Sequence, residues 1–472
     1  MSGGPSIFPE SDRTREFLTA MTESFGSEPE TLGDVSFAGS GSLPSVFPVS
    51  DFAAAVVGAA GVAVADFMAA AFGTRPRVAV DRRLASLWFG FSFRPIDWVP
   101  TSPWDPIAGD YATADGWIRL HTNAPHHRAA AVSVLGVAAE KQAVAAAVTH
   151  WKAEELETAI VGNKGCAAAM RSVSQWKTHP QGVAVIQERL INSRVTTDSG
   201  TALNVSISKR PLQGIRVLDL TRVLAGPVAT RFLAGLGADV LRIDPPTWDE
   251  PGVVPDVTLG KRCARLDLRD VDGRSTFLEL LRQADVLVHG YRSDALDNLG
   301  LDTQLRREIR PGLVDISLDA YGWTGPWRNR RGFDSLVQMS VGIADAGMRT
   351  LGRDRPTPLP VQALDHATGY LMAAAAVRGL RERLETGRGY EGRTSLARVA
   401  ELLLSVPATA MAGNLTAADE ADWSDGVEAT DFGIARRLRS AITIAGTPLQ
   451  WDSPARKLGS APPTWVVSPH FV

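Results

Sequence analysis

Cysteine is nearly absent: Cys166 and Cys263 are the only two in 472 residues, far apart and without a CxxC partner. Neither a disulfide framework nor a zinc knuckle is expected, and a reducing cytoplasm suits the chain. Basic excess is missing as well, since 49 Lys and Arg stand against 52 Asp and Glu for a net charge of −3. Nothing is left over to neutralise phosphates, so neither nucleic acid nor an anionic membrane is expected as a partner, and any basic site must be local. The opening MSGGPSIFPESDRTREF lacks the basic-then-apolar pattern of a secretion signal. No charge-free apolar run is available to span a bilayer. The most apolar stretch, Phe52 to Phe72, carries Asp66 in its interior and is dominated by Ala, Gly and Val, which reads as a buried soluble helix. No metal site is expected either, because the adjacent His126 and His127 diverge on a helix and have no third ligand in view.

What the chain does contain is an ordinary soluble composition, 44% apolar and 21% charged, at a length that allows two or three domains. From Gly214 short apolar strands alternate with helices: IRVLDL, ADVLRID, ADVLVHGY and LVDISLDAYG, with VATRFLAGLG and DGRSTFLELLRQ between them. That alternation predicts an α/β fold with a doubly wound, mostly parallel, Rossmann-like sheet, whose ligands sit beyond the strand C-termini. Residues 101–189 read as a smaller α+β domain opening on a hairpin, YATADGWIRLHTN. Residues 190–213 are polar and without helical period, so a linker is expected there. The large domain is then 214–412. Residues 413–472 form an acidic loop and a final apolar segment, ITIAGTPLQW, expected to rejoin it.

Two stretches keep step with each other for about forty residues. LDHATGYLMAAAAVRGLRERL, with Asp365 near its start, runs on to GRTSLARVAELLL; SDFAAAVVGAAGVAVADFMAAAF, beginning at Asp51, runs on to RVAVDRRLASLWF. Residues 1–100 are therefore read as a partial duplicate of the region around Asp365. An acidic residue at a helix start is usually a cap that accepts backbone N–H bonds, and only occasionally a nucleophile.

The motifs VLDLTRVLAGPVATRFLAGLGADVLRIDPP, GKRCARLDLRD, ADVLVHGYRSDALDNLGL, YGWTGPW, RRGFDSLVQMSVGI and LDHATGYL resemble, in order and spacing, the class III CoA-transferase family of the CaiB/BaiF type. The N-terminal portion resembles the second half of that fold. The resemblance implies an enzyme that moves CoA from an acyl-CoA to a small carboxylic acid, with CoA thioesters as substrates and no tightly bound cofactor. It makes Asp365 the nucleophile, passing through an aspartyl-acyl anhydride and an aspartyl-CoA thioester. The helix N-terminus is expected to keep Asp365 ionised, an effect of up to ~2 kcal/mol. It places Val223, Leu224 and Ala225 along the CoA chain, and Arg242, Leu266, Tyr291 and Arg331 at adenine or phosphate. Read from the residues alone, Leu224 fits core, Tyr291 a strand-end filler and Arg242 a solvated charge equally well. Asp334 is expected to support the site by hydrogen bonds, or simply to cap its own helix.

The chain departs from the family pattern in places. The family's ENFRPG run appears as HGYRSD, so Gly290 lacks an amide side chain and Asp294 adds negative charge near the nucleotide path. A glycine-rich loop over the site is not evident. Relatives that racemise 2-methylacyl-CoA carry a histidine where Phe333 stands, so a two-base racemase is the second reading and a non-catalytic acyl-CoA-binding protein the third. Asp51 has no CoA-binding half before it, and Leu18 stands near the supporting aspartate's place; a degenerate, structural site is expected. The family's interlocked dimers imply a homodimer, or an internal pseudo-dimer supplied by the N-terminal copy.

Overall fold

The structure is a computed structural model that describes residues 10–27, 29–200, 203, 205, 210–410 and 413–466. The four apolar runs after Gly214 become strands of a seven-stranded sheet, which Arg262–Arg265, Arg388–Ser395 and Asn192–Ser199 complete. In spatial order these are Arg262–Arg265, Asp239–Asp244, Arg216–Leu220, Val286–His289, Val314–Asp319, Arg388–Ser395 and Asn192–Ser199. Every neighbouring pair is parallel except the last. From Arg216 onward, the first three strands in the chain are laid down in one direction across the sheet and the next three in the other. The crevice at that reversal, between Leu220 and His289, is where a doubly wound sheet opens for a ligand. The central strands are buried on both faces along almost their whole length, their Val, Leu and Ile interspersed with the buried polar residues Asp219, Asp315 and Ser317.

The linker expected over 190–213 is corrected. Asn192–Ser199 is an edge strand, antiparallel to Arg388–Ser395. Paired on one side only and largely exposed, it has no apolar face to betray it in the sequence.

The Asp365 helix, Ala363–Thr386, and the Asp51 helix, Val49–Phe72, are both 24 residues long and pack against each other at the centre of the main core. The Asp51 helix is the one helix among the described residues long and apolar enough to cross a membrane, and it is buried against protein. Each helix ends at a glycine in the left-handed region, Gly73 (φ 70°) or Gly387 (φ 73°), whose N–H returns to the carbonyl of Ala69 or Arg383. After each comes a strand whose final residue caps the next helix: Asp81 accepts from the Leu84 amide, Ser395 from the Arg398 amide. The strand Val78–Asp81 is flanked by a parallel partner, Val35–Ala38, and an antiparallel one, Ile442–Ile444. Arg388–Ser395 is flanked in the same sense by Val314–Asp319 and Asn192–Ser199. The segment ITIAGTPLQW is divided between the two parts: Ile442–Ile444 closes the N-terminal sheet, while the Gln450 amide donates to the Gly235 carbonyl and Trp451 Nε1 to the Arg231 carbonyl of the large domain. Residues before 101 share one continuous core with the large sheet.

Residues 107–167 surround a separate apolar cluster that includes Ile107, Ile118, Leu120, Val144 and Leu156. The expected hairpin forms, Gly109–Ala112 against Trp117–Leu120, and Ala167–Ala169 adds a third strand. Beside the large sheet, the helix Ala225–Gly235 crosses the Asp365 helix so closely that a Cβ at Gly369 would lie 2.4 Å from the Ala225 carbonyl oxygen. Glycine there lets the loop at the end of Arg216–Leu220 reach Asp365.

Candidate active site

Asp365 is the third residue of its helix and is 7% exposed. The N-cap, Gln362, makes no side-chain cap bond. Its place is taken by Asp334, which opens the helix Asp334–Ser340 but caps the other one. Asp334 Oδ2 accepts the Asp365 backbone N–H at 2.9 Å, and the Leu364 N–H also donates to this carboxylate. Gln338 donates to Asp334 Oδ1 and, through its own Oε1, accepts the Leu359 N–H at 2.7 Å, tying the incoming loop to the same group.

This arrangement reverses the ionisation expected from the helix N-terminus. Burial first, and then the facing charge of Asp334, push Asp365 well above the ordinary carboxylate range. Burial also raises Asp334, to about 6, against the amides that bond it. The amides at the helix start stabilise Asp334 and leave Asp365 in apolar surroundings.

Those surroundings are two aromatic stacks. Phe89 lies on His366, centroids 5.0 Å apart and planes 18° from parallel. Phe333 lies on His121 at 3.7 Å and 11°. Burial lowers both imidazoles to about 3, so they are neutral. His121, brought in by the smaller domain, was missed in the sequence; a lone histidine in IRLHTN carries no motif.

Asp365, Val223, Leu224 and Phe333 line two cavities at once. The larger, of about 650 Å³, opens over the crevice of the sheet and is bordered by Thr221–Gly226, Gly290–Arg292 and Arg330–Phe333. Of the residues implied for CoA, Val223, Leu224, Ala225, Tyr291 and Arg331 border it. Val223 has φ 65°, a strained conformation for a β-branched residue, and its N–H donates to Glu250 Oε2 at 2.9 Å. Arg222, which sequence reasoning passed over beside Val223, donates to the Tyr291 hydroxyl at 2.9 Å and lies over the rings of Trp248 and Tyr291. Burial raises the Tyr291 phenol. Arg331 makes no ion pair among the described residues.

Arg242 is a correction. It is fully buried, with Asp244 accepting from its Nε at 2.8 Å and Glu250 closing the cluster, so its charge is matched within the protein. Side chains two apart on a strand share a face, which puts Asp244 within its reach. Leu266 packs into the apolar cluster behind Tyr291 and does not border the cavity. The Asp294 charge faces Arg292 at 3.7 Å.

Asp51 differs from Asp365 throughout. It is 1% exposed, Thr14 Oγ1 donates to it at 2.9 Å, and Arg82 Nε reaches it at 3.1 Å. Leu18, at the place of Asp334, is buried apolar core. Asp51→Ala should cost roughly 3 kcal/mol by removing the partner of a buried guanidinium, while turnover stays unchanged; urea denaturation alongside an activity assay checks both. Among the described residues no group of His, Cys, Asp or Glu could hold a metal ion.

A desolvated carboxylate thus lies at the rim of the crevice of a doubly wound sheet, where a cavity bordered by arginines meets an apolar one. Residues 212–432 match the model of CoA-transferase family III. An acyl-CoA transferase of Gibberella moniliformis is 27% identical over 311 residues, covering 61% of this chain and 54% of its own. The succinyl-CoA:glutarate CoA-transferase of Mus musculus is 34% identical over 197 residues, 39% of this chain and 44% of its own. The crystal structure of Rv3272 from M. tuberculosis overlays with TM-score 0.38 at 31% identity, over 43% of this chain and 58% of that one. The chain spans about half the length of the first curated relatives it matches.

Proposed function

We propose that the protein transfers CoA between an acyl-CoA and a carboxylic acid, with Asp365 as nucleophile. The observation that carries this reading is the position of an unpaired, raised-pKa carboxylate where the two cavities meet. Expelling a thiolate of pKa roughly 8.5 with an ordinary carboxylate is steeply uphill; a desolvated carboxylate narrows that mismatch. Asp365 attacks the thioester carbonyl, the C–S bond breaks, and the thiolate then attacks the aspartyl side of the anhydride, releasing the first acid. An acceptor carboxylate reverses these steps. Asp334 is the positioning residue, holding the backbone of the Asp365 helix while its charge keeps the nucleophile's pKa high.

Arg222, Tyr291 and Arg331 are the groups proposed to receive the nucleotide end of CoA, arginine's planar fork suiting phosphate oxygens. Phe333, lying flat on His121, leaves a racemase without the second base at that position. The matching order of elements around Asp51 and Asp365 supports reading them as duplicated halves, and their packed helices support an internal pseudo-dimer. Both cysteines are buried and free, in keeping with a reducing cytoplasm.

Mass spectrometry of the protein incubated with an acyl-CoA tests the reading: a CoA adduct on the peptide carrying Asp365, released by hydroxylamine, is expected. Binding with no adduct and no transfer would leave a non-catalytic acyl-CoA-binding protein. The raised pKa adds a pH signature. kcat/KM should climb with pH as Asp365 loses its proton, and Asp334→Asn, by removing the facing negative charge, should displace the climb to lower pH. A rise that stays where it was in that variant counts against the coupling.

A further inference from the structure

The smaller cavity beside Asp365 has a composition that selects a substrate class. We infer that it is the acyl pocket and that it takes an apolar acyl group, aliphatic or aryl, and disfavours a dicarboxylic one. The inference rests on the transferase reading above. Of the two cavities that share Asp365, only the larger is bordered by arginines, Arg222, Arg292, Arg330 and Arg331, so the phosphate-bearing part of a CoA thioester belongs there. Its acyl end must then project across Asp365 into the other cavity, of about 300 Å³.

Phe89, Phe91, Trp104, Val253, Val257 and Phe333 are among the apolar residues of that second wall. No arginine or lysine is among its described lining residues. The two imidazoles, His121 and His366, are each stacked on a phenyl ring, and the one carboxyl group besides Asp365 is Asp256. Asp256 is already matched by Arg231 at 2.9 Å and Arg437 at 3.0 Å, so neither cation is available to a ligand. A second substrate carboxylate would be desolvated there with no cationic partner, only the neutral amides of Asn123 and Gln362, and with a negative neighbour, which is costly. An apolar chain would instead cover ring faces now open to solvent: Phe91 is 47% exposed and Trp104 39%. The volume is about twice the ~150 Å³ cavity that accepts benzene, so roughly six to ten carbons fit.

Phe89 and Phe91 come from the segment after the N-terminal helix Arg82–Trp88, outside the region matched by the family model. The N-terminal part of this chain therefore builds one wall of the pocket, and Phe91 is the specificity-determining position.

Exchange of isotopically labelled acid into its own CoA thioester measures this without knowing the natural acceptor. Hexanoate with hexanoyl-CoA and phenylacetate with phenylacetyl-CoA should exchange with kcat/KM at least about tenfold above succinate with succinyl-CoA. Phe91→Arg should lower hexanoate exchange and raise succinate exchange, bringing the ratio down by about tenfold or more, because it places a cation in the wall. Succinate exchange equal to or faster than hexanoate exchange, or a ratio untouched by Phe91→Arg, overturns the pocket assignment and leaves the transferase reading standing. No exchange with any of the three pairs overturns both.

Discussion

Asp365→Ala is expected to lower the turnover of CoA transfer by at least ~10⁴-fold, since removing a covalent nucleophile leaves only binding and residual electrostatics. Its effect on stability should run the other way. The Asp365 carboxyl is buried, raised in pKa and repelled by Asp334, and none of its oxygens takes part in a described hydrogen bond, so the folded state gains little from it. The melting temperature of the alanine variant should match or exceed that of the parent, a trade of stability against activity typical of a functional site. Calorimetric unfolding together with the labelled-acid exchange assay reads both quantities. Retained turnover would remove Asp365 from the chemistry; a large drop in melting temperature would show that it had been a structural cap.

The second large effect is one of folding. Asp256 lies under the site, where Arg231 from the large domain and Arg437 from the C-terminal return both reach it, and Ser92 from the N-terminal part donates to the same oxygen as Arg437. All three charged groups are nearly inaccessible, and Glu428 makes a two-point pair with Arg437. Asp256→Ala would leave Arg231 without its carboxylate in a buried setting, and a loss of about 3–5 kcal/mol is expected, read as a lower urea midpoint at unchanged slope. Burial alone would raise this carboxyl, but Arg231 and Arg437 outweigh it and hold it below the usual range. A depressed folded-state pKa stabilises above the unfolded value of ~3.9 and is lost as pH falls through the lower folded value. The difference between parent and variant should therefore be full at neutral pH and shrink in acid. A difference that persists unchanged to strongly acidic pH would mean that packing around Asp256, and not its charge, holds the three segments together.

Much of the large domain was legible in the sequence because its central strands are buried on both faces and are written as short stretches rich in Val, Leu and Ile, separated by helical segments. Asn192–Ser199 was not legible, being an edge strand whose stability comes from hydrogen bonds to Arg388–Ser395, which any polar sequence can make. The loop Val223–Ala225, singled out in the sequence, borders the same cavity as Asp365. Arg222, one residue away, was overlooked because its value lies in Tyr291 and Trp248, which are close only in space. Arg242 misled for the opposite reason: strand position suggested a free cation, and Asp244 on the same face had already engaged it.

By itself the sequence determined the alternation of strands and helices, the place of an acidic residue near the start of each long Ala-rich helix, and the near balance of acidic and basic residues, because these depend on residue type and short-range order. Tertiary structure alone decided which of the two aspartates is available to a ligand. Asp51 meets Arg82 and Thr14, whereas Asp365 meets aromatic faces and a second carboxylate. A carboxyl group's ionisation and reach are set by the charges and the solvent around it, and segments distant in the chain supply both.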